Sequence, residues 1–166
     1  MNFIVAVSEN YAIGKDNNML FNLPSDLKYF KETTLNKVVV MGRKTYYSLP
    51  KRPLKNRTNI VLSSNESFKE EGVIIVHSFE ELFEELKKYN TDDVFIIGGA
   101  TLYNKLLDYC KLGYITKVEK VVCADTFITN IEELENWKEI SSSEQHSENG
   151  LNFKFKVFEN LNERNL

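Results

Sequence analysis

Several features that mark particular classes of protein are scarce in this chain of 166 residues. Only two cysteines are present, Cys110 and Cys123, and they form neither the close pairs of a zinc site nor a disulfide scaffold. We expect both to be small apolar core residues of a protein in a reducing cytoplasm. The two histidines, His77 and His146, have no second ligand type at metal spacing, so we predict no metal site.

Long apolar runs are also missing. None approaches the ~18 residues that a membrane span needs, and the stretch from Met1 to Val7 lacks the basic start of a signal peptide. Charge of one sign is not in excess, because 21 basic side chains stand against 24 acidic ones, and this balance does not suggest a nucleic-acid partner. We expect a cytoplasmic protein with neither a membrane nor a nucleic-acid partner, a monomer by default and one domain over residues 1–166.

Six short runs rich in Val and Ile are present instead. They are continuous rather than alternating and are flanked by polar or glycine residues, which predicts strands buried on both faces of a parallel sheet. These runs cover residues 3–7, 38–41, 59–62, 73–76, 94–97 and 114–118.

Helical patterns lie between these runs. The clearest follows Ser78, a suitable cap, and places Phe79, Leu82, Phe83 and Leu86 on one face, with acids in the first turn and lysines in the last. Two further helices are predicted at about residues 24–34 and 99–108.

The C-terminal segment has a different pattern. Residues 151–157 alternate strictly between apolar and polar after the turn signal Asn149-Gly150, which predicts an antiparallel hairpin with residues 137–146. The predicted fold is therefore α/β: a mostly parallel central sheet of about eight strands, flanked by about four helices and closed by a C-terminal antiparallel hairpin.

Two predicted strands end in glycine. One runs into Gly98-Gly99 and then a helix, where backbone N–H groups could meet a diphosphate, although a tight turn with no ligand fits that segment equally well. The other runs into Gly42 and then Arg43, Lys44 and Thr45, which could contact phosphate oxygens or form a solvated basic turn. Together they favour a dinucleotide phosphate site at the carboxyl ends of parallel strands, without the G-x-G-x-x-G of the common Rossmann arrangement.

A third candidate is Asp26, two residues after Pro24 in the first turn of a predicted helix. On its own it is more simply an acid that favours a helix N-terminus. The functional alternative is a lone carboxylate beside the apolar face of Leu27 and Phe30, which could hold a hydrogen-bonding ring and have an altered pKa.

The order of these segments resembles that of the dihydrofolate reductase family over nearly the whole chain. Seven motifs occur in that order, so chance is an improbable explanation. They are Ala12-Ile13-Gly14, residues 22–27, residues 40–45, Arg52-Pro53-Leu54, residues 57–63, Ile97-Gly98-Gly99 and Asp125-Thr126-Phe127.

The resemblance implies NADPH-dependent reduction of 7,8-dihydrofolate to 5,6,7,8-tetrahydrofolate, by hydride transfer to C6 and protonation of N5, in support of one-carbon metabolism. It implies that Asp26 pairs with the pteridine amino group and N3, that Thr116 supports that carboxylate, and that Tyr103 completes the catalytic set. It also implies a cis bond between Gly98 and Gly99, an adenosine-binding part at about residues 38–105, and antifolate inhibitors as further ligands.

Two sets of binding residues follow from the same resemblance, with the 2′-phosphate contacts favouring NADPH over NADH. The cofactor set is Ala6, Ile13, Gly14, Met19, Gly42, Arg43, Lys44, Thr45, Leu62, Ser63, Ser64, Ile97, Gly98, Gly99, Ala100, Thr101, Leu102, Tyr103 and Thr126. The substrate set is Ile4, Val5, Leu20, Phe21, Asp26, Leu27, Phe30, Leu49, Leu54, Arg57, Ile97 and Thr116, in which Arg57 would clamp the carboxylate of the glutamate tail.

The chain departs from the family pattern in the segment before Asp26 and in a later loop. Phe21 stands where tryptophan is usual, which removes an indole N–H near the substrate, and Ala124 stands where glycine is usual. Two alternatives remain: a related NADPH-dependent reductase of riboflavin synthesis, which is not expected to carry the Asp26 and Arg57 segments, and a non-catalytic nucleotide-binding protein.

Overall fold

The computed structural model describes residues 1–166 and contains four α-helices and twelve strands. In chain order the elements are β1 (Asn2–Val7), β2 (Ala12–Lys15), β3 (Asn18–Met19), α1 (Pro24–Thr34), β4 (Val38–Gly42), α2 (Arg43–Ser48), β5 (Thr58–Leu62), β6 (Ile74–Val76), α3 (Phe79–Leu86), β7 (Val94–Gly98), α4 (Ala100–Leu106), β8 (Leu112–Val118), β9 (Thr126–Phe127), β10 (Trp137–Ser142), β11 (His146–Glu148) and β12 (Leu151–Asn160). Short 3₁₀ turns lie at Thr91–Asp93, Leu107–Tyr109 and Ile131–Glu133. No helix combines the length and the apolar character needed to cross a membrane.

The central sheet has nine strands, eight of them in the order β10-β12-β8-β1-β7-β4-β5-β6, with β11 added on β12. All pairings from β8 to β6 are parallel, whereas β12 pairs antiparallel with β8, β10 and β11. The predicted α/β class, the mostly parallel sheet and the antiparallel C-terminal strands are therefore confirmed.

The central strands are buried on both faces, as their continuous apolar sequences predict. In β4, Val38 and Val40 belong to the main core of 21 buried residues, while Val39 and Met41 belong to a smaller cluster on the opposite face. Helices α3 and α4 supply Leu82, Leu86, Leu102 and Leu106 to the main core, and Tyr46 of α2 belongs to the smaller one. Helices therefore cover both faces of the sheet.

Two local predictions were wrong, and a third was correct in its pairing but incomplete. Residues 151–157 do pair antiparallel with the segment 137–146, but that segment is divided into β10 and the start of β11, and the Asn149-Gly150 turn joins β11 to β12. Residues 43–48 begin as the predicted turn after Gly42 but continue as helix α2. Helix α3 ends at Leu86, so Lys87 lies at its C-cap and its last turn has no basic residue.

A second, three-stranded antiparallel sheet stands apart from the central one, in the order β3-β2-β9. It joins residues 12–20, which we call the lid, to the segment after β8: Gly14 lies opposite both Met19 and Thr126. The lid turns at Asp16 and Asn17, whose φ values of +50° and +61° lie in the left-handed region.

Candidate active site

The two glycine-ended strands are neighbours, so their turns meet at the carboxyl edge of the sheet. Met41 of β4 lies opposite Gly98 of β7. A Cβ atom on Gly42 would lie 4.0 Å from the backbone nitrogen of Gly99. The peptide bond between Gly98 and Gly99 is cis, which confirms that prediction. The turns thus bring half-buried backbone at Gly42 and Gly99 together where the parallel strands end, which is where open α/β sheets bind ligands.

Gly98 can be nothing larger in this arrangement. Its φ is +147°, and an added Cβ would lie 2.9 Å from Oγ1 and 3.0 Å from Cγ2 of Thr45. The first turn of α2 therefore packs directly on the glycine pair. The predicted phosphate contacts Arg43 and Lys44 occupy the same turn, half-buried and exposed respectively.

The remaining predicted phosphate residues follow β5, the neighbour of β4. Ser63 is buried: its N–H donates to the carbonyl oxygen of Val76 at 3.0 Å, and its carbonyl oxygen lies 2.8 Å from Nδ1 of His77. Ser64 is exposed just beyond it, and Leu62 is half-buried against the main core. At the start of α4, Leu102 is buried, Ala100 is half-buried and Thr101 is exposed.

Asp26 lies in the first turn of α1, and a residue of strand β8 forms a hydrogen bond with its side chain. The Oγ1 of Thr116 donates to its Oδ1 at 2.5 Å. Thr116 is itself buried, and it lies opposite Ala6 in the pairing of β8 with β1. The carboxylate predicted from a helix start is therefore fixed by a hydrogen bond to the centre of the sheet.

The environment of Asp26 disfavours its charge. Burial raises the pKa of this carboxyl above its ordinary value, the hydrogen bond from Thr116 acts in the opposite direction, and the charge of Glu148 raises the pKa further. A carboxyl with a raised pKa and a single side-chain hydrogen bond can bind a protonated or N–H-bearing ring and share a proton with it.

Tyr103 of α4 points at the first strand beside this carboxylate. Its hydroxyl donates to the carbonyl oxygen of Ile4 at 2.8 Å in a fully buried position. Burial, and secondarily the charge of Asp26, raises the pKa of the phenol, so Tyr103 is a neutral donor at neutral pH. The structure therefore brings Asp26, Thr116 and Tyr103 around the β1 segment that contains Ile4, Val5 and Ala6.

The lid and the segment that pairs with it bring together four residues of the predicted cofactor set: Ile13, Gly14, Met19 and Thr126. Gly14 is buried, and an added Cβ would lie 3.6 Å from the Cβ of Thr126. Met19 is 70% exposed and Ile13 is half-buried against the main core. Asp125 anchors the lid, because its Oδ2 accepts from the N–H of Asp16 at 2.9 Å and its own N–H donates to the carbonyl oxygen of Gly14 at 3.2 Å.

The apolar residues of the predicted substrate set, which we call the slot, lie partly in one cluster. Leu49, Leu54 and Ile97 all pack against the smaller core. On α1, Leu27 is 50% exposed and Phe30 is half-buried. Leu20 is half-buried, and Phe21 packs with Leu23, Val118 and Phe153.

Arg57 lies at the far end of α1. Its Nε donates to the carbonyl oxygen of Lys55 at 2.9 Å and its Nη1 donates to Oγ1 of Thr34 at 3.2 Å. These bonds orient a half-buried guanidinium that has no carboxylate partner of its own, which suits capture of an external carboxylate. Burial lowers the pKa of Arg57, which nevertheless stays charged.

Sequence reasoning missed the contact between α1 and the C-terminal hairpin. Glu148 accepts hydrogen bonds from both the N–H and the Oγ of Ser25, at 3.0 and 2.5 Å. The Asn149-Gly150 turn signal placed this carboxylate at a hairpin, but nothing in the sequence connects it to a residue 123 positions earlier.

The cysteine prediction was wrong for one residue. Cys110 is buried, whereas Cys123 is exposed, with its Sγ 3.4 Å from Nζ of Lys15. The physical reason is its position after β8, in a connection to β9 that contains no strand and leaves the core.

A backbone cradle with adjacent cations, on the same sheet as a carboxylate of raised pKa, is typical of an α/β enzyme that binds a nucleotide cofactor. A sequence model of the family described as dihydrofolate reductase matches residues 1–160. The chain belongs to the dihydrofolate reductase family.

Individual relatives agree over almost the entire chain. Dihydrofolate reductase from Bacillus subtilis is 35% identical over 98% of this chain and 95% of its own length. The Haemophilus influenzae enzyme of the same name is 41% identical over 82% of this chain and 80% of its own length. A solved structure of dihydrofolate reductase from Enterococcus faecalis, complexed with NADP(H) and RAB-propyl, superposes with a TM-score of 0.84 at 32% identity and covers 96% of this chain and 95% of that one.

Proposed function

We propose that this protein reduces 7,8-dihydrofolate to 5,6,7,8-tetrahydrofolate with NADPH, by hydride transfer to C6 and protonation of N5. The observation that carries the proposal is the Asp26–Thr116 pair, a carboxylate of raised pKa held by β8 of the same sheet whose strands β4 and β7 end in the glycine turns. A pteridine ring offers an amino group and a ring N–H side by side, which a carboxylate can accept with its two oxygens.

The glycine cradle fits the cofactor. Gly42 and Gly99, both half-buried, leave backbone accessible beside Gly98 where a diphosphate must approach closely, and Arg43 and Lys44 add positive charge at the same edge. The E. faecalis protein is a member of the family with NADP(H) bound. When bound, NADPH supplies the hydride, and the protein supplies orientation and surroundings.

Each of the main site residues then has a defined role in the proposed reaction. Asp26 accepts hydrogen bonds from the substrate ring. The hydroxyl of Thr116 donates to Oδ1 of Asp26 and so holds the carboxylate in one rotamer. Tyr103 fixes β1 through the carbonyl of Ile4, so that the strand against which ring and cofactor would meet does not shift. The lid, anchored by Asp125, excludes water from the reacting faces.

Proton delivery to N5 is favoured by the same carboxylate. A negative charge held beside the ring stabilises a proton that arrives from solvent on that ring. Phe21 places an apolar ring in the segment that precedes Asp26, so water approaching N5 finds no side-chain donor at that position. Arg57 clamps the glutamate carboxylate at the far end of the slot.

The wider assignments follow from the same proposal. We assign the adenosine end of the cofactor to approximately residues 38–105 of a single domain, and we infer a monomer that works in the cytoplasm and supplies tetrahydrofolate for one-carbon metabolism. Antifolates would compete for the Asp26 site.

The loss of NADPH absorbance on addition of dihydrofolate tests the proposal. We expect substrate-dependent oxidation of NADPH, and much slower oxidation of NADH because the cations beside Gly42 favour the 2′-phosphate. Folded protein that binds NADPH and leaves dihydrofolate unreduced would overturn the proposed reaction and favour a nucleotide-binding role.

A further inference from the structure

The first turn of α1 lacks a cap of its own. The residue at its N-cap position is Leu23, whose apolar side chain makes no capping hydrogen bond. The first N–H groups of a helix have no partner within the helix, and an uncapped start frays. Asp26 lies in this turn, so any fraying would move the carboxylate that the proposed function uses.

The missing cap comes from the other end of the chain. Glu148, the last residue of β11, grips Ser25 with both carboxylate oxygens, one on the N–H at 3.0 Å and one on the Oγ at 2.5 Å. Next to it, Nδ2 of Asn149 donates to the carbonyl oxygen of Asn22 at 3.0 Å. Three hydrogen bonds therefore tie the segment before and at the start of α1 to one hairpin.

The hairpin is itself fixed to the strand that supports Asp26 from the other side. Strand β12 pairs with β11 and also with β8, where Phe155 lies opposite Thr116. Tyr29 of α1 packs on Phe155 with ring centroids 4.3 Å apart. The two groups that hold the Asp26 segment, Glu148 and Thr116, thus stand on one connected part of the sheet.

We propose that Glu148 is a positioning residue for the reaction: it caps α1 from the C-terminal hairpin and so fixes the Asp26 carboxylate toward the substrate ring. This inference rests on the proposed function only where turnover is concerned. The hydrogen bonds of Glu148 with Ser25 and the effect of its charge on the pKa of Asp26 are properties of the protein without substrate, whatever reaction it catalyses.

The charge of Glu148 gives the role a signature that packing alone would not produce. The titratable groups around Asp26 are Tyr29 on α1, Tyr103 on α4 and Glu148 on β11, and the two phenols are uncharged at neutral pH because burial raises the pKa of each. Glu148 is ionised: its hydrogen bonds with Ser25, and secondarily nearby His146, lower its pKa. Removing this charge makes ionisation of Asp26 easier, so the pKa of Asp26 falls.

Four variants separate the charge from the cap. Glu148→Gln keeps an acceptor and the size but removes the charge, Glu148→Asp keeps the charge, and Ser25→Ala removes the hydroxyl donor. Glu144→Gln is the matched control, because Glu144 is an exposed carboxylate of the same hairpin region whose side chain makes no hydrogen bond. Circular dichroism first establishes that each variant is folded.

Turnover as a function of pH is the first readout. For Glu148→Gln we expect the decline of kcat with rising pH to begin at lower pH than in the parent, a several-fold loss of kcat at neutral pH, and an unchanged KM for NADPH. We expect Glu148→Asp to keep the parental pH profile of kcat. Ser25→Ala should lower kcat with little shift of that profile along the pH axis, and Glu144→Gln should match the parent. Coincident profiles for Glu148→Gln and the parent would overturn the inference and leave the proposed function standing.

An NMR titration of the Asp26 side-chain carboxyl, made on the protein without substrate, decides the inference even if the parent has no reductase activity. Carbon-13 labelling of aspartate and the Asp26→Asn spectrum identify the signal. The expected result is a lower titration midpoint in Glu148→Gln than in the parent and in Glu144→Gln. An unchanged midpoint means that Glu148 does not act on Asp26.

Discussion

The glycine turns and the carboxylate pocket lie at the same edge of one sheet but are built in opposite ways. The turns depend on the absence of side chains: Gly42 lies against the backbone of Gly99, and Thr45 packs directly on Gly98. The pocket depends on three particular side chains, Asp26, Thr116 and Tyr103, whose hydrogen bonds reach α1, β8, α4 and β1.

The difference teaches which changes each region tolerates. At Gly98 the cradle is broken by any added atom, whatever its chemistry, because Thr45 already fills the space. A pocket of side chains is broken by a change of chemistry at constant size, since its charge and hydrogen bonds carry the function. Substitutions in the two regions should therefore fail in different ways.

Asp26→Asn should have the largest effect on turnover. It keeps the size and one acceptor for Thr116 but removes the charge that faces the ring. We expect kcat at pH 7 to fall about 100-fold or more, with partial recovery on acidification as more substrate arrives protonated. Steady-state assays across pH, with NADPH binding as the control, measure this. A variant as active as the parent at pH 7 would show that Asp26 is misassigned.

The same substitution should stabilise the fold at neutral pH. The pKa of Asp26 is raised above its ordinary 3.8, so the folded protein binds this proton more tightly than the unfolded chain does. In the parent protein, ionisation of Asp26 therefore lowers the free energy of unfolding. This loss is absent below pH 3.8 and complete above the raised pKa. Urea unfolding should therefore show Asp26→Asn more stable than the parent at pH 7 and equal to it at the acidic end. Equal stability at both would contradict the raised pKa.

Gly98→Ala should break the cradle by bulk alone. The added Cβ would stand 2.9 Å from Oγ1 of Thr45, at a φ of +147°. We expect a loss of about 1–3 kcal/mol in the free energy of unfolding and a higher Kd for NADPH. Gly150→Ala is the control, because its φ is +74° and its added Cβ meets nothing within 4 Å. If both variants lose the same stability and neither loses cofactor affinity, the close packing of Thr45 on Gly98 is unimportant.

Thr116→Val removes a hydroxyl at nearly constant shape. The hydrogen bond of Thr116 opposes the raised pKa of Asp26, so its loss raises that pKa further and moves the pH profile to higher pH, opposite to the shift expected for Glu148→Gln. We expect kcat/KM to fall about tenfold, equivalent to about 1.4 kcal/mol. Thr33→Val, whose hydroxyl bonds to the carbonyl of Tyr29 within α1, is the control. A profile shifted to lower pH would contradict this account.

Tyr103→Phe should have the smallest effect. It leaves the buried carbonyl of Ile4 without its donor, at a cost of about 1 kcal/mol in unfolding free energy and about a threefold loss of turnover. Urea unfolding and kcat measure both. Tyr89→Phe removes a phenol bonded to Glu85 at the protein surface and should cost less. A Tyr103→Phe variant with a tenfold or larger loss of kcat and no loss of stability would point to direct contact with the reacting groups.

Prediction from sequence succeeded where the signal is local. The Val- and Ile-rich strands, the Ser78 cap of α3 and the Asn149-Gly150 turn all lie where the residues indicate, because each depends on a few neighbouring side chains. The glycine-ended strands could be placed at one edge of the sheet for the same reason.

Features that depend on long-range pairing could not be predicted. The pairing of β12 with β8, the contact of Glu148 with Ser25 and the exposure of Cys123 each follow from how distant segments pack. Asp26 combines a predictable and an unpredictable feature. Its position in the first turn of a helix follows from neighbouring residues, but its partner Thr116 lies 90 residues away and could be predicted only through the family resemblance.

The most direct test of the account uses NADPH with both hydrogens at C4 of the nicotinamide replaced by deuterium, incubated with dihydrofolate and the parent protein. The account predicts that the deuterium appears at C6 of the tetrahydrofolate formed, and that Asp26→Asn transfers it to the same carbon far more slowly at pH 7. Product without deuterium at C6, or equal rates for the parent and Asp26→Asn, would contradict it.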